Sequence, residues 1–185
     1  MPTGPGDEAG TEANLDVFFY DTTPGGAGFA AIVTDRLRDV LSAARLILRS
    51  CNCNSSCQRC LRTYDNRYDH LRLDRFLASS LLEYMETGVI PPVEADRRAR
   101  AFDALAGSVR LLGAFGPSLS STSSTEGGAL AKGGKSVSVV IVPALIGGDM
   151  IEETPSTGGR SVKVSELVLT RDLPRAATAI FDLLE

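Results

Sequence analysis

Cys51, Cys53, Cys57 and Cys60 lie within ten residues in the order C-x-C-x3-C-x2-C, and the 185-residue chain has no other cysteine. Their neighbours Asn52, Asn54, Ser55, Ser56 and Gln58 are polar and turn-prone, so the four cannot all be small core hydrophobes. Closely spaced thiolates can converge on one tetrahedral ion at about 2.3 Å per Zn–S bond. The spacing favours one structural Zn²⁺; a redox or iron–sulfur arrangement and unmetallated thiols are the alternatives. Four sulfur ligands close the coordination shell and leave no position for substrate. Arg49, Arg59 and Arg62 are interleaved with the cysteines and suit the excess negative charge of such a centre, or simply form a solvated face.

Arginine recurs beyond the cluster. Residues 35–75 hold nine arginines against five aspartates. Arg59, Arg62, Arg67, Arg72 and Arg75 alternate with Tyr64 and Tyr68, a pattern suited to phosphate contact plus base stacking on single strands. A solvated face with local Arg–Asp pairs explains the same pattern. Pro24, Gly25, Gly26 and Gly28 form a breaker-rich turn before a helical stretch. Such a turn is either a tight strand-to-helix connection that needs positive φ or a cradle for an anion.

Several chemistries lack their parts. His70 is the single histidine, which removes multi-histidine metal centres and leaves a structural hydrogen bond as its expected role. Asp21 with His70 has no nucleophile placed beside it by spacing. Gly133-Gly134-Lys135-Ser136 imitates the end of a phosphate-binding loop, but no strand is expected before it and a low-complexity tract surrounds it. Asp149, Glu152, Glu153 and Glu166 do not form a nuclease pattern. No ATPase or nuclease motif is present, so the chain is read as a non-enzyme.

The elements that must position these residues follow from periodicity. Residues 17–20 read as a short buried strand. Apolar residues from Phe29 to Leu48 recur at three- and four-residue intervals and predict a helix that runs directly into the cysteine loop. Asp74 is placed to cap a helix that ends near Thr87, before Gly88 and Pro91-Pro92. A further helix is expected over 93–112, strands over 136–142 and 162–169, and a closing helix from Pro174 to Leu184.

The resulting expectation is an α+β fold, a small sheet with packed helices and a four-cysteine zinc-binding loop. Four parts are expected: a disordered acidic stretch at 1–14, a zinc-binding domain at 15–115, a flexible low-complexity linker or loop at 116–135, and a β-β-α segment at 136–185. The two C-terminal strands should pair with each other and join a sheet with residues 17–20, with the last helix packed on it.

Composition is that of an ordinary soluble domain, 43% hydrophobic and 23% charged, with a formal charge of -4. No run is long and apolar enough to predict a membrane span, and the acidic start is unlike a secretory signal. The expected location is the reducing cytoplasm, where disulfides are disfavoured.

The run Tyr20-Asp21-Thr22-x-Pro24-Gly25-Gly26-Ala27-Gly28, a helix, the four cysteines with Leu61, then Tyr64-x-Asn66, His70 and Leu73-Asp74-Arg75 together resemble the MrfA-like zinc-binding domain. That family's domain is the C-terminal module of a group of DEAD/DEAH-box helicases linked to DNA repair, and occurs in bacterial anti-phage defence proteins. The resemblance covers residues 15–86. It implies zinc on Cys51, Cys53, Cys57 and Cys60, and an accessory module that assists nucleic-acid binding or helicase assembly. The implied partner is a DEAD/DEAH-box helicase, encoded alongside or as a missing N-terminal part. A purely structural protein-interaction module is the alternative, as is a C-terminal fragment of a longer helicase.

Overall fold

The helical pattern after Gly28 forms two helices rather than one: α1, Phe29–Asp35, and α2, Leu37–Ser50. The break falls at Arg36, whose N–H reaches both Ile32 O and Val33 O, and no glycine or proline marks it. The computed structural model describes residues 18–21, 23–113, 118–156 and 159–185. The acidic stretch 1–14 and Val17 lie outside the described residues. The chain divides into two compact units, Met1–Leu41 and Ser42–Glu185.

In the first unit, residues 18–20 are irregular, with Phe18 80% and Tyr20 78% exposed. The expected buried strand is therefore absent there, and among the described residues no strand pairs with this segment. An isolated strand has no ladder to satisfy its backbone groups.

The second unit carries the rest. After the cysteine loop comes a short 3-10 turn, Arg67–Asp69, then α3, Arg75–Thr87, and α4, Ala95–Leu112. Asp74 caps α3 as expected, accepting from Phe76 N and Leu77 N, and Gly88 ends it at φ 70°.

Five strands follow: β1 Ser120–Ser123, β2 Gly127–Lys132, β3 Lys135–Val142, β4 Ile151–Ser156 and β5 Gly159–Ser165. Helix α5, Ala144–Gly147, follows β3, while α6, Glu166–Arg171, and α7, Leu173–Leu184, close the chain. The sheet order is β1-β2-β3-β5-β4. β3 and β5 pair in parallel, with Val139 opposite Val162 and Ile141 opposite Val164; the other neighbours are antiparallel. The fold is thus α+β with a mixed five-stranded sheet.

Three expectations need correction. The tract expected as a flexible linker at 116–135 contains β1 and β2; β1 lies in register with β2, and β2 with β3. Its Gly128 is required by packing: a Cβ there would lie 2.3 Å from the Phe102 ring on α4. The second C-terminal strand stops at Ser165, because that side chain accepts from Leu167 N and starts α6 instead. Finally, the boundary at 115 cuts through one hydrophobic core. Phe102, Leu105 and Val109 of α4 pack with Leu130, Val139, Val164 and Ile180, all 1% exposed or less. The C-terminal strands pair with each other as expected, and the sheet gains β1, β2 and β4; among the described residues, 18–20 are not part of it.

Candidate metal centre

The four cysteine Sγ atoms all lie within 4.8 Å of one another. Cys51–Cys53, Cys51–Cys57, Cys53–Cys60 and Cys57–Cys60 are separated by 3.6, 3.4, 3.7 and 3.9 Å. A tetrahedron built on Zn–S bonds of about 2.3 Å has edges of about 3.8 Å. The donor set therefore fits a tetrahedral zinc thiolate centre both in type and in spacing. It fits a hard cation poorly, since such ions take oxygen ligands.

Local structure explains how a ten-residue loop turns four side chains inward. Cys51 follows the last residue of α2 and is buried. At the other end, the Cys57 carbonyl accepts N–H bonds from Cys60, Leu61 and Arg62, which folds residues 57–62 into a tight knuckle. Cys57 N in turn donates to Cys60 Sγ at 3.2 Å. The thiols differ in acidity. The backbone N–H of Arg59, followed by the Cys51 thiol, lowers Cys57 to about 6. Cys53 is pushed up to about 12, first by desolvation and then by hydrogen bonds with Cys51, Cys60 and Cys57.

The loop is stapled to the chain that follows it. Ser55 Oγ donates to Leu73 O, Arg75 N donates to Ser55 O, and Arg62 Nε donates to Ser56 Oγ. Arg75 faces this structure rather than solvent: Nε donates to Cys53 O at 2.8 Å and Nη1 to Leu48 O at 2.9 Å. It satisfies a carbonyl of the last turn of α2 and fixes the backbone of a cysteine at once. Arg45 pairs with Glu83 and Glu86, and Arg49 pairs with Glu83, so α2 and α3 are tied by a charged ladder across the loop.

His70 makes the structural bond expected of it. Its Nε2 lies 3.0 Å from both Thr63 O and Asn66 Oδ1. Asn66 Nδ2 donates to Leu61 O, and Thr63 N donates to Asn66 Oδ1. This network fixes residues 61–70 directly behind the fourth cysteine.

The remaining arginines and tyrosines separate into two groups. Tyr64 and Tyr68 are 78% and 84% exposed and both face Arg67, whose guanidinium carbon lies 4.4 and 4.5 Å from their ring centroids. Arg59 and Arg62 line a hollow of about 430 Å³ with Cys53, Cys57, Gln58 and His70. Arg72, by contrast, pairs with Asp69 at 3.8 Å, and Arg75 is committed inward.

The glycine turn resolves as a connection. Gly25, Gly26 and Gly28 take φ values of 85°, 76° and 78°, which side chains disfavour. The amides at its end are already satisfied: Gly28 N and Ala30 N donate to the Asp21 carboxylate. The anion-cradle reading is thereby answered by a carboxylate of the chain itself. Likewise, Gly133 and Gly134, at φ 57° and 86°, form the two-residue hairpin turn between β2 and β3 rather than a phosphate loop.

Sequence reasoning missed Phe76 and Arg97, and took Glu166 only as one of four carboxylates without a nuclease pattern. Phe76 lies between two guanidiniums, with Arg75 at 3.8 Å and Arg97 at 3.7 Å from the ring centroid. Arg97 continues to Glu166 at 2.5 Å. The chain of contacts runs from the cysteine loop to the start of α6, and only the adjacency of Arg75 and Phe76 was visible beforehand.

Residues 5–61 match the family model described as the MrfA Zn-binding domain (MZB), a span that ends one residue after Cys60. Over 84 residues, 45% of the chain, the sequence is 44% identical to the Druantia protein DruE of Escherichia coli (strain UMEA 4076-1). The match spans 4% of that curated relative's length. No solved structure matches the chain.

Proposed function

We propose that the chain is a zinc-stabilised accessory module that serves a helicase motor acting on nucleic acid, in phage defence or DNA repair. One structural zinc on Cys51, Cys53, Cys57 and Cys60 is its anchor. The observation that carries this reading is the near-tetrahedral convergence of the four Sγ atoms inside the span matched by a zinc-binding family model. The likeness to a Druantia protein supports the defence setting.

The chemistry is one of positioning. Zinc, when bound, would neutralise and cross-link the thiolates and so hold a loop with too little apolar surface to fold alone. The chain's own residues do the rest: Arg75 fixes Cys53, the Cys57 carbonyl shapes the knuckle, and His70 with Asn66 sets the exposed loop beyond it. The motor, a DEAD/DEAH-box helicase, would be supplied on another chain or another part of the polypeptide. A reducing cytoplasm suits the thiolates, and among the described residues no helix is long and apolar enough to cross a membrane.

A protein-interaction module is the second reading, favoured by the exposure of Phe18, Tyr20 and Phe29 in the first unit. The test is co-purification with a DEAD/DEAH-box helicase from the neighbouring reading frame, and stimulation of that helicase's DNA-dependent ATPase. Stimulation that requires the four cysteines supports the accessory role. Binding without any change in ATPase or DNA affinity favours the interaction module.

A further inference from the structure

The surface beyond the fourth cysteine combines features that isolated exposed residues lack. Tyr64 and Tyr68 are both largely exposed, yet each ring rests on the same guanidinium, and Arg67 Nη2 donates to Tyr68 Oη at 3.2 Å. Arg67 Nη1 also donates to Tyr64 O, so the trio is locked to its own backbone. The backbone is held in turn by the Thr63–Asn66–His70 network described above. Two aromatic rings are thus held in place, each with open surface, on a loop that has little freedom left to lose on binding.

Charge on this surface is biased by what the acids are already doing. Asp69 is held by Arg72, and Asp74 accepts from its own helix amides. Asp65 and the neighbouring thiolate cluster remain as the opposing charges, against Arg59, Arg62 and Arg67, with Arg62 already donating through Nε to Ser56 Oγ. Arg59 and Arg62 sit beside the rings' loop at the hollow formed with Cys57 and His70. Aromatic faces next to a short cationic track are what single-stranded nucleic acid requires: bases stack on any ring, and phosphates follow the arginines.

We propose that Tyr64 and Tyr68, braced by Arg67, are a stacking platform for bases of single-stranded nucleic acid, with Arg59 and Arg62 contacting the adjoining phosphates. The platform reads no base edges, so binding is tolerant of sequence. Arg72 and Arg75 take no part. This rests on the proposed role on nucleic acid and narrows it to a strand type, a contact mode and five residues.

The experiment uses the full zinc-loaded chain and a fluorescein-labelled oligothymidine of about 15 nucleotides, measured by anisotropy from low to moderate salt. A matched abasic oligonucleotide presents the same phosphates without bases. Stacking predicts clearly weaker binding of the abasic strand. It also predicts a loss of about 5- to 100-fold per ring for Tyr64→Ala and Tyr68→Ala. Tyr64→Phe and Tyr68→Phe keep the ring and should retain affinity. Arg72→Ala should change little, and zinc content with circular dichroism verifies folding of each variant. Equal binding of abasic and thymidine strands, unchanged by the tyrosine variants, overturns the platform while leaving a phosphate-based role intact. Absence of binding to every oligonucleotide overturns both. If the tyrosine variants instead abolish capture of a helicase without affecting DNA, the surface is a protein contact and the proposal fails.

Discussion

Arg97 on α4 and Glu166 at the start of α6 form an ion pair at 2.5 Å, with both side chains less than a fifth exposed. Burial works against both charges: desolvation lowers Arg97 and raises Glu166, although each attracts the other. This pair stands at the junction between the cysteine loop, reached through Phe76 and Arg75, and the sheet core.

Removing one partner of such a pair strands the other. Glu166→Ala should destabilise the fold by about 3 kcal/mol, the lower end for buried pairs, whereas Glu166→Gln keeps an acceptor and costs less. The pH dependence has a definite sign. Because the folded carboxyl is raised, the folded state holds its proton to higher pH than the unfolded chain. Its contribution is complete below the ordinary carboxylate value and is lost as pH rises through the raised one. Denaturant unfolding across this acidic range should therefore show wild type losing stability relative to the Gln variant as pH increases.

Zinc should be present at one equivalent per chain in freshly purified, unchelated protein, measured by elemental analysis. Cys→Ser at any of the four positions should lower metal content and stability by several kcal/mol, since structural zinc contributes roughly 10–16 kcal/mol of apparent binding in small fingers. Cys57, at about 6, is mostly thiolate at neutral pH, while Cys53, near 12, must surrender its proton on binding. Metal uptake should therefore release protons, and affinity measured against a competing chelator should fall further once pH drops below about 6.

Arg75→Ala should reduce zinc affinity by about 10- to 100-fold, the range for residues that orient metal ligands, because it frees Cys53 O and Leu48 O together. Arg72→Ala, whose guanidinium pairs at the surface with Asp69, should leave metal affinity unchanged. Chelator competition on the two variants makes the comparison.

Two glycines give opposite expectations. Gly128→Ala places a Cβ 2.3 Å from Phe102 Cζ and 2.5 Å from Thr122 O, an overpacking that should cost about 1–3 kcal/mol. Gly107 lies inside α4, and a Cβ there meets nothing within 4 Å. Gly107→Ala should stabilise by about 0.5–1 kcal/mol through helix propensity. Thermal unfolding of both variants reads the difference.

What was legible in the sequence was what is decided locally. Four cysteines within ten residues specify their own convergence, Asp74 caps the helix two and three residues ahead, and Pro174 stands near the start of the last helix. The tract around Gly128 was misread because its composition resembles a linker, while its structure is set by Phe102, 26 residues earlier, and by register with β3. At Val168-Leu169, β-like side chains lost to a single capping serine. Residues 18–20 have the aromatic content of a buried strand, but aromatic content alone supplies no pairing partner. The candidate site divided in the same way: the cysteine ligand set was readable from spacing, whereas the inward commitment of Arg75 and the Arg97–Glu166 continuation depend on contacts between distant helices.

The order in which these parts can form follows from where they sit along the polypeptide. The thiol cluster closes within residues 51–60, a loop whose closure entropy is small. The sheet core cannot assemble until β5, ending at Ser165, has left the ribosome, because β3 needs it as a parallel neighbour. During synthesis the metal-binding knot can thus tie while most of the hydrophobic core is still unmade. Scarcity of zinc would then be felt by the nascent chain before the sheet exists, as a longer wait with an unfixed loop, and quality control would meet that species first.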